Sequence, residues 1–273
     1  MKFMSDGFNL KWKWINELNP QKAEAILKDV MPIPKGEVSI LAAPGGVGKS
    51  FLSIQMAMYY TTQHKGKAGL WLSEDAEGQV AFRRKMLMEK LEIKDVNNSI
   101  ATITIDPEPF IKRNSYGAYT PNYDVLEKFI EWASILNIEF LVIDPIINFF
   151  GGNENDSSQA RMFTAPFVKW AHETGITILF IHHSAKGGSG PRGSSDFQNG
   201  VKCVYGMDVP RDNEGEIDKH RMNLGYRTVK LLKDNMFMAE YLNDDNEKVI
   251  KVLPEKNNPM EVEYEQVQMP NNF

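Results

Sequence analysis

The chain has 273 residues, 42% of them hydrophobic, and a formal net charge of −5, which suits one large α/β domain and argues against a surface that wraps nucleic acid. No apolar run approaches the ~18 residues of a membrane span, and the N-terminus lacks the apolar core of a signal peptide, so we expect a cytoplasmic protein without membrane contacts. The single cysteine, Cys203, excludes an intramolecular disulfide and a thiolate metal cluster.

Residues 1–35 are predicted to form a packing arm ahead of the main domain. A helical stretch is predicted through Ala23 and Ile26, and Pro32 ends it. Trp12 near the start of the arm is an aromatic side chain that could anchor on an adjacent subunit. The arm is too short to be a domain of its own.

Residues 36–253 are predicted to form one domain in which strands and helices alternate, followed by a loosely ordered tail at 254–273. The predicted strands lie at 38–42, 68–73, 100–105, 139–143 and 176–182, and the predicted helices at 49–62, 77–91, 122–137 and 157–173. The strands are near-continuous apolar runs, which is typical of a parallel sheet covered on both faces. Three β-rich segments follow at 201–207, 221–232 and 248–253. They predict antiparallel strands that extend one edge of the sheet.

A glycine-rich loop joins the first strand to its helix. Residues 43–50 have the spacing of the P-loop, with alanine in place of the leading glycine. Glycines let backbone N–H groups turn towards phosphates, and the helix start adds partial positive charge. The predicted phosphate cradle comprises Pro44, Gly45, Gly46, Val47 and Gly48. Lys49 is predicted to contact the outer phosphates and Ser50 to bind Mg²⁺; the alternative is a glycine-rich turn beside a surface lysine.

Carboxylates follow two of the predicted strands. Glu74 comes after the strand at 68–73 and is placed to activate a water as general base, although a Glu74–Asp75 pair at this point also suits a helix N-cap. Asp144 closes the strand at 139–143 and is predicted to hold Mg²⁺ through water. The alternative is an aspartate that caps the following loop. Strand ends of an open α/β sheet are where such groups meet.

Two further candidates follow the strand at 176–182. His182 and His183 are adjacent at its end, so one must face the site if the other faces the core. Such a histidine could sense the γ-phosphate, although two solvated or core histidines would give the same pattern. Arg192 lies in the glycine-rich segment 186–195 and is a candidate arginine finger towards a neighbouring subunit, or one more surface arginine.

Four stretches, 43–50, 73–75, 141–144 and 180–187, together resemble the motifs of the RecA-like P-loop ATPases, and most closely the RepA-type hexameric replicative DNA helicases. The likeness spans roughly residues 36–235. It implies an α/β fold with a RecA-like P-loop NTPase core, a mainly parallel sheet flanked by helices and an antiparallel extension on the C-terminal side. It also implies ATP and Mg²⁺ as cofactors, single-stranded DNA as partner and assembly into a ring, expected to be a hexamer.

The resemblance assigns roles to individual residues. Glu74 corresponds to the catalytic glutamate, Asp144 to the Walker B aspartate, His183 to the sensor histidine with His182 beside it, and Arg192 to the trans-acting arginine. Related ring helicases carry a Lys-x-Arg pair on a late strand that contacts the neighbour's nucleotide. This chain has asparagine in place of that arginine, which leaves Lys233 as a weaker candidate for nucleotide binding.

The function that these patterns favour is an ATP-dependent DNA helicase or translocase acting on single-stranded DNA in replication. The region from Lys186 to Lys233 has nine Lys/Arg against six Asp/Glu, which suits a DNA channel or a solvated charged face. Basic loops near 148–157 and 186–200 are predicted to move along the DNA. One alternative is a recombination-type or regulatory ATPase. A small-molecule kinase ranks last, because its only candidate lid, 106–120, offers few cations.

Overall fold

The computed structural model of the protein describes residues 13–94, 97–104, 108–184 and 195–255. Its strands are β1 Ala25–Ile26, β2 Ile33–Pro34, β3 Val38–Ala43, β4 Lys67–Leu72, β5 Ile100–Ile103, β6 Ile111–Arg113, β7 Tyr119–Pro121, β8 Ile138–Asp144, β9 Thr177–His183, β10 Cys203–Asp208, β11 Tyr226–Asp234 and β12 Glu247–Lys251. Its α-helices are α1 Lys49–His64, α2 Glu77–Lys90, α3 Tyr123–Ile135, α4 Ile146–Phe150, α5 Ser157–Thr174, α6 Ser195–Asn199 and α7 Lys219–Asn223. None of the helices in these ranges is long and apolar enough to cross a membrane.

Eight strands form one sheet in the order β12-β11-β10-β3-β9-β8-β4-β5. The strands from β10 to β5 run parallel to one another, whereas β11 and β12 run antiparallel at one edge. The predicted fold is therefore confirmed: a mainly parallel α/β sheet of the RecA-like P-loop ATPase type with an antiparallel extension. The carboxyl ends of β3, β9, β8 and β4 meet at one edge, because these strands are parallel neighbours.

The sheet is buried on both faces, as the apolar strands predict. Along β8, Phe140 and Val142 belong to the hydrophobic cluster that includes α1, whereas Leu141 and Ile143 belong to the cluster that includes α3 and α5. Successive side chains of a strand point to opposite faces, so an unbroken apolar run fills both layers. The two layers hold β8, and with it the position of Asp144, in the centre of the domain.

The second half of the N-terminal arm forms a buried hairpin, so the predicted helical stretch is wrong. β1 and β2 pair in antiparallel register, with Ile26 opposite Ile33. Leu27 directly follows β1 and has a φ of 55°, a left-handed value that a right-handed α-helix does not contain. The Tyr205 hydroxyl donates a hydrogen bond to the carbonyl of Pro32. This hairpin packs in the same core as β3 and α1.

The segment predicted as one β-rich stretch at 221–232 contains a helix and a strand. Asp218 caps α7, because its side chain accepts a hydrogen bond from the Arg221 N–H at 2.9 Å. Gly225 then turns the chain with a φ of 89°, a value that favours glycine, and β11 begins at the next residue. β11 therefore starts opposite the carboxyl end of β10, and β10 separates it from the P-loop strand β3.

Candidate active site

The loop between β3 and α1 has the form that phosphate binding requires. Gly46 and Gly48 have φ values of 74° and 110°, in the region that favours glycine. Gly48 is the N-cap of α1, a helix of 16 residues whose first turn includes Lys49 and Ser50. The loop therefore presents its backbone at a helix N-terminus, where an anion is stabilised.

Lys49 lies at the centre of a pocket, and its side chain is largely buried. Its ammonium donates hydrogen bonds to the carbonyls of Ala43 and Pro44 at 3.3 and 3.0 Å. Burial lowers the pKa of Lys49, and the nearby carboxylates of Asp144 and Glu74 act in the opposite direction. The Lys49 ammonium is thus held against the loop by two backbone carbonyls of that loop.

His183 connects Lys49 with Glu74. The Nδ1 atom of His183 lies 3.2 Å from the Lys49 ammonium, and its Nε2 atom lies 3.7 Å from Oε1 of Glu74. An ammonium can only donate, so Nδ1 accepts and the proton of a neutral His183 ring sits on Nε2. That N–H then faces the Glu74 carboxylate. Lys49, His183 and Glu74 therefore form one chain of polar contacts.

His182 faces the other way, so its position does not support the prediction of a catalytic role. Its side chain is buried and lies edge-on to the ring of Phe197, with centroids 5.4 Å apart. Its Nδ1 atom lies 2.8 Å from the His183 carbonyl oxygen. Adjacent residues of a strand point to opposite faces, so His183 alone of the pair lines the pocket.

The two predicted Mg²⁺ ligands, Asp144 and Ser50, lie within hydrogen-bond distance of each other. Asp144 is 4% exposed, and burial raises its pKa to about 7, partly offset by Lys49 and by a hydrogen bond from Ser50. The Ser53 hydroxyl is 3.5 Å from Oδ2 of the same carboxylate. The hydroxyls of Ser50 and Ser53 therefore both contact the Asp144 carboxyl.

Ser50 and Asp144 would hold Mg²⁺ together with the oxygens of a bound nucleotide. Within the described ranges, no group of three or more His, Cys, Asp or Glu side chains could hold a metal ion alone. Bound there, Mg²⁺ would neutralise phosphate charge.

The pocket has a volume of about 290 Å³. Its lining comprises Gly45, Gly46, Gly48, Lys49, Ser50, Phe51, Glu74, Arg83, His183 and Leu253. Three of these were missed from sequence: Phe51, Arg83 and Leu253. Arg83 projects from α2, forms an ion pair with buried Asp75 and lies over the Phe51 ring, 5.6 Å from its centroid. Asp75 thus orients a cation at the pocket, and Leu253 comes from the end of the described chain, where no motif marks it.

The structure does not bring Lys233 to this pocket. Lys233 pairs with Val204 at the start of β10. The P-loop follows the carboxyl end of β3, which runs parallel to β10, so Lys233 lies at the opposite end of these strands. Its ammonium donates to the carbonyls of Gln198 and Val201, both at 2.8 Å. It therefore anchors the end of α6 within its own chain. The predicted arginine finger, Arg192, lies outside the described residues.

The comparison with known families agrees with this geometry. A sequence model of the family described as an AAA domain matches residues 4–189. The matched region includes the P-loop and Glu74, Asp144 and His183. Comparison with curated proteins gives no match. With a family match over more than half of its length and a P-loop whose lysine lines a pocket together with polar side chains, the chain belongs to the AAA domain family of P-loop ATPases.

Proposed function

We propose that the protein is an ATP-driven helicase or translocase that assembles into a ring, expected to be a hexamer, and acts on single-stranded DNA in replication. The observation that carries this proposal is the position of His183 between Lys49 and Glu74. A histidine in contact with both groups would respond when the γ-phosphate leaves. His183 is the last residue of β9, and the segment with Arg192 begins shortly after it.

A second set of contacts supports coupling between the site and a loop. The Asn148 side-chain amide donates to the Ser73 hydroxyl at 2.9 Å, and that hydroxyl donates to the Asp144 carbonyl at 3.3 Å. Ser73 directly precedes Glu74, and Asn148 lies in α4, at the start of the predicted DNA loop near 148–157. A displacement of Glu74 or Asp144 would therefore be felt in this loop.

The prediction that the loop near 148–157 is basic is wrong. It contains Glu154 and Asp156 and no lysine or arginine, and Asp156 caps α5 by accepting from the N–H groups of Ser158 and Gln159. DNA contact would therefore depend on the cations of the region from 186 onwards. This part of the proposal rests on sequence composition alone.

The rate of ATP hydrolysis with and without single-stranded DNA, measured on protein of known mass in solution, tests the proposal. We expect an oligomer whose hydrolysis rises when DNA is added. Arg192→Ala should then lower turnover only in the assembled state, since it would act on a neighbour's nucleotide. An exposed arginine, Arg211, offers a matched control as Arg211→Ala. A monomer that ignores DNA would refute the proposal, and full turnover by Arg192→Ala in the oligomer would refute the finger.

The acidic loop favours one alternative, a recombination-type or regulatory ATPase that is not a helicase. Such a protein would keep the same ATPase site and show hydrolysis that depends on a protein partner or on filament formation. Electron microscopy of closed rings against filaments separates the two. A kinase remains the weakest candidate, because none of the described residues between 108 and 121 lines the pocket and Arg113 lies over the Tyr119 ring at 4.9 Å.

A further inference from the structure

A buried arginine lies behind the P-loop. Arg227, the second residue of β11, is 3% exposed, and its Nε–H donates to the carbonyl of Val47 at 2.7 Å. Its Nη1 atom donates to the carbonyls of Met222 and Tyr226. Arg227 thus joins the antiparallel extension to the phosphate loop across 180 positions of sequence.

The bond from Arg227 fixes the direction of the next peptide N–H. The peptide bond between Val47 and Gly48 is trans, and in a trans peptide the C=O and the N–H point in opposite directions. The Val47 carbonyl points back to Arg227, so the Gly48 N–H points away from it. Gly48 lines the pocket, and its N–H has no partner among the described residues. The arginine therefore holds a free donor ready for a phosphate oxygen.

The charge of Arg227 also bears on the pocket. Burial lowers its pKa, and Asp208 acts in the opposite direction from a longer distance. Within the described ranges no carboxylate lies at ion-pair distance from this guanidinium. A buried cation without an ionic partner is costly to the folded protein, so its position needs an explanation. A hydrogen bond from a cation polarises the Val47–Gly48 peptide and strengthens the donor on its far side.

We propose that Arg227 is a positioning residue of the nucleotide site, which orients and polarises the Gly48 N–H towards the phosphate chain. The proposal rests on nucleotide binding at the P-loop and not on DNA translocation or ring formation. Arg227 touches no phosphate itself. Its effect passes through a single peptide unit, so it should appear with any ligand that carries a diphosphate.

Calorimetric titration with Mg·ADP and with pyrophosphate tests this role. Arg227→Met removes the donors, Arg227→Gln keeps a neutral donor, and Arg221→Met removes an exposed arginine of α7 as a control. We expect Arg227→Met to weaken both ligands about tenfold and by the same factor. Arg227→Gln should recover part of the loss, and Arg221→Met should bind like the wild type. Urea unfolding checks that each variant is folded.

The possible results distinguish the role of Arg227 from nucleotide binding at the P-loop. Wild-type affinity in folded Arg227→Met, or a loss confined to ADP, overturns the role of Arg227. Where Arg227→Met does not fold, Arg227→Gln and the Gly48 amide resonance of the wild type carry the test. A Gly48 amide that does not shift when pyrophosphate is added also overturns it. A wild-type protein that binds neither ligand refutes the nucleotide site instead.

Discussion

Two regions build the nucleotide site in different ways. The parallel strands contribute the predicted catalytic groups, each at or just after the carboxyl end of a strand: the P-loop after β3, Glu74 after β4, Asp144 at the end of β8 and His183 at the end of β9. The antiparallel extension contributes support, with Arg227 behind the loop and Leu253 at the rim. Chemistry is therefore encoded locally, whereas the position of the loop depends on residues far along the chain.

The largest effect is expected in the parallel region. Glu74→Gln should lower ATP hydrolysis by about 10²–10⁴-fold while Mg·ATP still binds, because Glu74 is the predicted general base. Single-turnover kinetics and a binding titration measure the two quantities separately. Glu77→Gln is the control, since Glu77 is an exposed glutamate in the first turn of α2. Hydrolysis near the wild-type rate would show that Glu74 is not the base.

Gly225→Ala disturbs the antiparallel extension and leaves the predicted catalytic groups of the parallel strands unchanged. A Cβ at this position would lie 1.8 Å from the Leu253 carbonyl oxygen, so the backbone would have to move. We expect a loss of roughly 3 kcal/mol in the free energy of unfolding, measured in urea.

Gly215→Ala is the matched control for this substitution. Its φ of 86° is similar to the 89° of Gly225, but a Cβ there meets nothing within 4 Å. It should cost only the left-handed strain, about 1 kcal/mol. Equal losses in the two variants would mean that the close approach to Leu253 is unimportant.

Asp144 gives a prediction about pH. Its folded pKa is raised from 3.8 to about 7, so the stability that its neutral form contributes is complete below about pH 4 and is lost as pH rises through 7. Without Mg²⁺, Asp144→Asn should therefore gain stability over the wild type between pH 4 and 8, by roughly 2–4 kcal/mol. Thermal unfolding across this range measures the difference. Stability curves of Asp144→Asn and the wild type that run parallel across this pH range would show that burial does not raise the Asp144 pKa.

The smallest effect is expected at the rim. Leu253→Ala removes an apolar side chain next to Gly48. A Cβ added to Gly48 would lie 3.3 Å from the Leu253 side chain. Mg·ADP affinity should fall about two- to fourfold, since one truncated side chain at an open rim contributes little. Val249→Ala, at an exposed position of β12, is the control. A tenfold loss would indicate that the extension binds the nucleotide directly.

Much of the fold could be predicted from sequence, because its strands are apolar on both faces and end in polar residues. β8 shows both features: it is apolar on both faces and ends in Asp144. The N-terminal hairpin could not be predicted in this way. Ile26 and Ile33 suit either a helix or a strand in so short a segment, and the packing of the hairpin against Tyr205 decided between them.

The site residues also differ in whether local sequence could predict them. Lys49 follows β3 after the P-loop, Glu74 follows β4 and His183 ends β9, so their meeting at the carboxyl ends of parallel strands could be expected. Lys233 lies at the opposite end of the strands, because its strand runs antiparallel, and its predicted contact with a neighbour's nucleotide stays a prediction. No local pattern separates Arg227 from other arginines of a strand. Its role depends on a turn at Gly225 that only the folded chain reveals.

The pocket collects its walls from position 45 to position 253. A ribosome makes these residues in order, and domains of a nascent chain fold as their segments emerge. Leu253 is synthesised after all the other residues that line the pocket, so a nascent chain that ends before it would present a P-loop without its rim. Full affinity for nucleotide should therefore be acquired only after residue 253 has been made, more than 200 residues after the P-loop.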